Sequence, residues 1–211
     1  MKMRVAILFS GRGSNMEALV AAMRAEAFPA EPVLLLTNRP DAGGLHGAAA
    51  QTVPTAVVDH RDFPRDRRGH EAAMLKILHQ YQVDIICLAG YMRLLTPLLV
   101  GAYAGRMLNI HPSLLPSFPG LDTHERALHA GVALHGCTVH VVTETMDEGP
   151  ILAQAAIPVL PGDTADLLAG RVLAQEHQLY PAALSAFASN LTGPLARPDA
   201  ALRNCPGLPS R

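Results

Sequence analysis

Residues 4–15 of the chain read RVAILFSGRGSN, an aliphatic run that is followed directly by a glycine-rich turn. The run from Arg4 to Phe9 has the length and composition of a buried strand. Apolar residues at helical spacing from Ser14 to Glu26 predict a helix directly after the turn. A strand, a glycine-rich turn and a helix in this order are typical of the opening unit of a doubly wound α/β fold.

The alternation of short aliphatic runs with longer helical patterns continues along the chain. The predicted strands are Arg4–Phe9, Pro32–Leu36, Thr55–Val58, Val83–Ala89, Arg106–Ile110, Cys137–Val142 and Ile151–Pro158. The predicted helices are Ser14–Glu26, Asp41–Ala50, Asp66–Tyr81, Pro97–Tyr103, Asp122–His129 and Asp163–Ala188. We therefore predict an α/β fold with a doubly wound, mostly parallel seven-stranded sheet in a single domain, residues 1–190, followed by a loosely ordered Pro-rich tail, residues 191–211.

Composition narrows the class of protein. Hydrophobic residues make up 49% of the chain, charged residues 17% and aromatic residues 4%, which favours a compact aliphatic core. A net charge of -1 provides no field that would attract nucleic acid. The three cysteines form no CxxC pair, and the first apolar run is too short for a signal peptide or a membrane span. We expect a cytoplasmic monomer or homodimer that acts on small molecules, with neither a membrane nor a nucleic-acid partner.

The glycine-rich segment Ser10–Asn15 is a candidate phosphate site, because free N–H groups and the helix dipole favour an anion at such a turn. It is not a dinucleotide fingerprint. Met16 replaces the third glycine, and the second strand ends in Thr37 and Asn38 rather than in an acid. The alternative is a plain strand-to-helix turn with Ser14 as its N-cap.

Two further segments carry candidate catalytic side chains. In LNIHP, residues 108–112, strand alternation places Asn109 and His111 on one face, at the carboxyl end of a predicted parallel strand, where ligands bind in such sheets. Asp147 lies in an acidic turn between two predicted strands. Each of these residues also has an ordinary structural interpretation, as a buried histidine or a solvated acid.

The histidines do not predict a metal site. In HERALH, residues 124–129, the two histidines are one position further apart than in HExxH, which rotates them about 140° apart on a helix. His135 and His140 are five apart and face opposite ways on a strand. No GxSxG nucleophile motif occurs either.

Four motifs together resemble the phosphoribosylglycinamide formyltransferases over roughly residues 4–188. They are SGRGSN at 10–15, LAGYMRLL at 88–95, NIHPSLLPSFPG at 109–120 and G-x-T-x-H-x-V-x-x-x-x-D-x-G at 136–149. The resemblance implies a Rossmann-like formyltransferase fold. It also implies transfer of the formyl group of 10-formyltetrahydrofolate, as co-substrate, to the amine of 5'-phosphoribosylglycinamide, without a metal.

The resemblance also implies roles for individual residues. His111 would be the general acid, Asn109 a donor to the formyl oxygen, and Asp147 a proton relay that favours the protonated imidazole. The ribonucleotide would contact Gly13, Ser14, Asn15 and Glu176. The folate would contact Arg67, Met92, Arg93, Leu94, Leu95, Asn109, Thr138, His140 and Thr143. For the arginine, Arg68 is an equal candidate, and a solvated helix start is an equal explanation.

Rival interpretations share the Asn, His and Asp arrangement. A methionyl-tRNA formyltransferase would need a nucleic-acid-binding domain, which we do not expect in this weakly charged chain. A formyltetrahydrofolate hydrolase usually carries an N-terminal regulatory domain and lacks the SGRGSN loop. A catalytically silent nucleotide-binding module would not need the three polar residues together.

Overall fold

A computed structural model describes residues 2–47 and 49–191, and the backbone of residues 201–204. The chain divides into two compact units. The first consists of Met1–Asn109 with Val142–Glu144, and the second of Ile110–Val141 with Thr145–Arg211.

The described residues form eight strands and five α-helices, with short 3-10 turns between some of them. The strands are β1 (Met3–Phe9), β2 (Ala30–Thr37), β3 (Thr55–Val57), β4 (Ile85–Leu88), β5 (Met107–His111), β6 (Leu134–Val141), β7 (Ile151–Pro158) and β8 (Ala201–Asn204). The helices are α1 (Ser14–Met23), α2 (Arg67–Gln80), α3 (Pro97–Ala102), α4 (Thr123–Ala130) and α5 (Ala165–Leu191).

The first unit is built on a parallel sheet in the order β3-β2-β1-β4-β5. Its central strand β1 is fully buried from Val5 to Phe9, as expected for a strand covered on both faces. The chain runs outward from β1 through β2 to β3 and then returns to add β4 on the other side. The carboxyl ends of β1 and β4 therefore lie at the point where the strand order reverses, which is the usual ligand site of such sheets.

The second unit contains the antiparallel pair β6 and β7, against which α5 packs. The two strands approach closely at Gly136, where a Cβ atom would overlap the carbonyl oxygen of Ala155. Glycine is therefore required at this position. The register of the pair shifts between Val139 and His140, directly before the strand ends.

All seven predicted strands are confirmed as β1 to β7, as is the mostly parallel α/β sheet. The helix predicted for 41–50 is wrong. That segment forms two 3-10 turns, Gly43–His46 and Ala49–Gln51, because its three glycines disfavour a helix and Gly47 is extended. The assignment of 191–211 as a tail stays a prediction. Most of it lies outside the described residues, and its described part is β8, which pairs parallel with β7.

None of the helices in the described part of the chain is long and apolar enough to cross a membrane.

Candidate active site

The second unit brings two histidines to one carboxylate. His111 ends β5, His140 lies near the end of β6, and Asp147 lies in the loop that follows. Nδ1 of His111 is 3.6 Å from Oδ2 of Asp147, and Nε2 of His140 is 3.7 Å from Oδ1. All three side chains are less than a tenth exposed. His140 as a folate contact stays a prediction, and in the structure its ring faces Asp147.

The hydrogen bonds of the two rings determine where their protons lie. Nε2 of His111 bonds the carbonyl of Phe118 at 3.0 Å, and Nδ1 of His140 bonds the carbonyl of Val141 at 3.2 Å. A carbonyl only accepts, so both nitrogens carry hydrogen. In a neutral ring the other nitrogen then presents a lone pair to Asp147. Each histidine is therefore attracted to the carboxylate when it gains a second proton.

Burial modifies this balance at His140. Loss of water lowers the pKa of His140, more than the Val141 carbonyl and the Asp147 carboxylate raise it, and His111 lowers it further. Burial therefore favours the uncharged form of His140.

The loop of residues 112–122, between β5 and α4, contacts both His111 and Asp147 through its backbone. Phe118 supplies the carbonyl that accepts from His111, and the N–H of Gly120 donates to Oδ2 of Asp147 at 2.9 Å. The backbone is left-handed at Phe118, Gly120 and Asp147, with φ of 54°, 80° and 58°. A left-handed conformation is costly for a residue other than glycine and often marks a functional site. The loop geometry therefore sets the distance between the imidazole and the carboxylate.

Thr138 anchors the start of this loop. Its fully buried hydroxyl donates to the carbonyl of Ser113 at 2.7 Å and accepts from the N–H of Leu115 at 3.0 Å. The amide of Gln154, opposite Thr138 on β7, bonds the same hydroxyl at 3.0 Å and the carbonyl of Leu115 at 2.9 Å. Thr138 as a folate contact stays a prediction, and its observed contacts are with the loop.

A second histidine pair lies beside the loop. Nδ1 of His124 on α4 is 3.1 Å from Nε2 of His135 on β6, and the Phe118 ring meets the His135 ring edge-on. Burial, and then the neighbouring His124, lower the pKa of His135 to about 4. Burial also lowers the pKa of His124. This pair therefore prefers the uncharged state.

In the first unit, the glycine-rich loop connects β1 to α1 through Gly13. Gly13 is the residue before the helix and is left-handed, with φ of 77°. Ser14 is the first helical residue, so its alternative assignment as N-cap is wrong. Gly13 has no side chain with which to cap the helix, and the N-terminus of a helix favours an anion.

The segment 92–95 of the first unit exposes apolar side chains while its backbone is anchored. Met92 is 66% and Leu94 56% exposed. At one end, the Met92 N–H donates to the Ser10 hydroxyl at 2.9 Å, and just beyond the other, the Thr96 N–H donates to Glu71 at 2.6 Å. The segment thus presents an apolar surface on a restrained backbone.

The remaining predicted contact residues are distributed over both units. Asn109 is half-buried on β5, two residues before His111, and Glu176 is buried on α5. Arg67 and Arg68 are both exposed at the start of α2, where Asp66 is the N-cap. Their exposure agrees equally with a ligand contact and with a solvated helix start. The rest have these positions: Asn15 is half-buried in α1, Arg93 and Leu95 are half-buried, and Thr143 is exposed.

The sequence did not reveal the groups that hold the predicted site residues in position. The contributions of Phe118 and Gly120 are backbone atoms, which no residue pattern reveals. Ser10 begins the predicted phosphate segment and Glu71 lies within a predicted helix, but the sequence did not indicate that their buried side chains hold segment 92–95.

The part of the chain that is described contains no group of three or more His, Cys, Asp or Glu side chains able to hold a metal ion.

Comparison with known proteins identifies the family. Residues 3–184 match the formyl transferase family. The chain is 40% identical to the phosphoribosylglycinamide formyltransferase of Escherichia coli K12 over 186 residues, which covers 88% of this chain and 87% of that protein. The crystal structure of the phosphoribosylglycinamide formyltransferase from Brucella melitensis is 56% identical, with a TM-score of 0.85 over 93% of this chain and 99% of that one.

Some relatives are much longer. The chain is 44% identical over 188 residues to the trifunctional purine biosynthetic protein adenosine-3 of Bos taurus, but it spans only 18% of that protein's length. The family match, the identity to the Escherichia coli protein over most of both chains and the shared fold lead to one conclusion: the chain belongs to the formyl transferase family, among the phosphoribosylglycinamide formyltransferases.

Proposed function

We propose that the chain transfers the formyl group of 10-formyltetrahydrofolate to the amine of 5'-phosphoribosylglycinamide in purine biosynthesis. The observation that carries this proposal is the buried pairing of His111 with Asp147, in a chain that is similar to phosphoribosylglycinamide formyltransferases over most of its length.

The reaction requires a proton donor and a proton acceptor. The amine attacks the formyl carbon, a new C–N bond forms, and the bond from that carbon to the folate nitrogen breaks. Negative charge builds on the formyl oxygen and positive charge on the attacking nitrogen. A group that donates to the oxygen, and one that accepts the amine proton, both lower the barrier.

His111 and Asp147 supply this chemistry in the proposal. In the structure the two ring nitrogens of His111 face the Phe118 carbonyl and Asp147. A protonated His111 therefore turns one N–H from its present partner to the formyl oxygen, while Asp147 stabilises the added charge and relays the proton from the amine to the leaving folate nitrogen. Asn109, two residues earlier on the same strand, donates a second hydrogen bond to the oxygen. The 3.6 Å separation of Nδ1 and Oδ2 supports an ion pair that strengthens when the ring is charged.

The substrate-binding segments fit the two substrates in chemical character. The N-terminus of α1, preceded by left-handed Gly13, suits the phosphate of the ribonucleotide, with Ser14 and Asn15 in its first turn. The exposed apolar side chains at 92–95 suit the flat ring system of a folate. Glu176 as a ribose contact, and Arg67 as a folate contact, rest on the resemblance alone.

A direct assay separates this function from its rivals. Consumption of 10-formyltetrahydrofolate is measured with and without 5'-phosphoribosylglycinamide, and the formylated product is identified by mass spectrometry. Loss of the formyl donor only when the amine is present supports transfer. Loss at the same rate without the amine would instead identify a hydrolase, and no loss in either case would favour a silent nucleotide-binding module.

Three broader expectations accompany the function. A cytoplasmic location, an assembly no larger than a homodimer, and the absence of nucleic-acid and membrane partners all stay predictions.

A further inference from the structure

Ser10 joins two parts of the first unit that the proposed function assigns to different substrates. It is the first residue of the glycine-rich loop and is 5% exposed. Its N–H donates to the carbonyl of Gly90 at 3.1 Å, and its hydroxyl accepts from the N–H of Met92 at 2.9 Å. Ser10 thus connects the loop after β1 to the segment after β4 by two hydrogen bonds, one that it donates and one that it accepts.

The Ser10 hydroxyl has a determined orientation. Because it accepts from Met92, its own hydrogen is free to donate, and it does so to Oδ1 of Asn38 at 2.6 Å. Asn38 is 3% exposed, and its backbone carbonyl accepts from Nδ1 of His60 at 2.8 Å. Asn38 directly follows β2, at the position where a dinucleotide site would carry an acid. Here it orients Ser10 instead.

Segment 92–95 is held just beyond its other end by a residue unconnected with the loop. Glu71 of α2 is 2% exposed and accepts from the N–H and the hydroxyl of Thr96 at 2.6 Å and 2.5 Å. It also accepts from the N–H of Leu99 at 3.1 Å. Ser10 and Glu71 are therefore comparable anchors of one segment, and Ser10 is the one that belongs to the loop.

We propose that Ser10 is a positioning residue that couples the two substrates, so that the ribonucleotide on loop 10–15 tightens binding of the folate on segment 92–95. This inference rests on the proposed function, because it uses the assignment of those two segments. A phosphate that holds the loop also holds Ser10, and through it the Met92 backbone. The folate then binds a segment whose backbone is already ordered, so that less conformational entropy is lost on binding.

Thermodynamic linkage makes this coupling reciprocal and measurable. If the ribonucleotide raises the affinity for folate by a given factor, folate must raise the affinity for the ribonucleotide by the same factor. For a single buried hydroxyl we expect a factor of about five to ten, at the low end of measured couplings.

The experiment uses isothermal titration calorimetry with tetrahydrofolate, which lacks the formyl group and so does not react. Its affinity is measured alone and with saturating 5'-phosphoribosylglycinamide, for the unsubstituted chain and for Ser10→Ala and Glu71→Gln. Both substitutions should weaken tetrahydrofolate binding several-fold. Only Ser10→Ala should reduce the coupling factor to about one, whereas Glu71→Gln should retain the factor of the unsubstituted chain.

Two further variants keep the test decisive. Ser10→Thr retains the hydroxyl and should retain the coupling. If Ser10→Ala does not yield folded protein, Asn38→Ala replaces it, because removing the acceptor releases the hydroxyl from its orientation toward Met92 and should lower the coupling factor.

The outcomes separate this inference from the proposed function. Equal coupling factors in Ser10→Ala and the unsubstituted chain would overturn the role of Ser10, as would an equal loss in Glu71→Gln. If the unsubstituted chain transfers the formyl group normally but shows no coupling, this inference fails alone. If it transfers no formyl group, the proposed function fails and this inference fails with it.

Discussion

His111 and Asp147 face each other at 3.6 Å, yet each is held by a different backbone group of the same loop. Phe118 accepts from the His111 ring, and Gly120 donates to the Asp147 carboxylate. The distance exceeds that of an ordinary N–H···O hydrogen bond, so the pair is close enough for charge stabilisation without being locked together. Protonation of His111 would shorten the distance between its Nδ1 and Oδ2 of Asp147.

Removing either member of the pair should impair turnover far more than binding. We expect His111→Ala and Asp147→Asn each to lower kcat by at least about a hundredfold, since both groups would act on charge that develops in the transition state. Affinity for 5'-phosphoribosylglycinamide, measured by calorimetry, should change little. Glu148→Gln is the matched control, because Glu148 is the adjacent exposed acid. Normal turnover in either test variant would refute the proposed mechanism.

Thr138→Val should loosen the loop of residues 112–122, because it removes the hydroxyl that bonds the loop backbone while preserving side-chain shape. The substitution leaves the buried N–H of Leu115 without its acceptor, which costs about 1–3 kcal/mol in the free energy of unfolding. Urea denaturation should register this loss, and kcat should fall with it as the His111 and Asp147 geometry relaxes. Thr55→Val, on an exposed strand position, is the control. Equal stability of the two variants would contradict the anchoring role.

Gly13→Ala should weaken ribonucleotide binding and destabilise the first unit. Gly13 is left-handed, and an added Cβ would lie 2.8 Å from Cε of Met16 and 3.2 Å from Cα of Gly44. The backbone strain alone costs about 1–3 kcal/mol. Gly11→Ala has open space and no left-handed backbone, so its melting temperature should stay close to that of the unsubstituted chain. Similar melting temperatures for both variants would show that the turn tolerates a side chain.

His135 should make the protein less stable in acid. Its pKa is lowered from 6.5 to about 4 in the folded state, so the unfolded state binds more protons between those values. Stability therefore falls as pH decreases through this window, by about 2 kcal/mol between pH 7 and pH 5. The half-buried His124 and the buried His140, whose pKa values are also lowered, act in the same direction.

Urea unfolding midpoints of His135→Asn measured across this range test the assignment. The variant should lose the part of the pH dependence that His135 contributes, about 2 kcal/mol between pH 7 and pH 5, whereas His79→Asn, at an exposed helix position, should retain it. Identical pH profiles for the two variants would show that His135 is not the responsible group.

Much of the fold could be predicted because it depends on local patterns. The strands β1, β2 and β4 are short, largely aliphatic runs, and burial on both faces of a parallel sheet leaves that signature in the sequence. The exception, 41–50, has apolar residues at helical spacing but also three glycines. The penalty of glycine in a helix outweighed the pattern there.

The motifs along the chain were enough to predict Asn109, His111 and Asp147 as the catalytic residues, because all three lie in segments that resemble the phosphoribosylglycinamide formyltransferases, and their roles stay predictions. The sequence did not determine what holds them. Three relationships depend on packing: His140 faces Asp147, the buried Thr138 anchors the loop, and Ser10 links loop 10–15 to Met92. These relationships use backbone atoms and side chains distant in sequence. Because a hydrogen bond depends on distances of a few tenths of an ångström, only the packed chain brings such groups within reach.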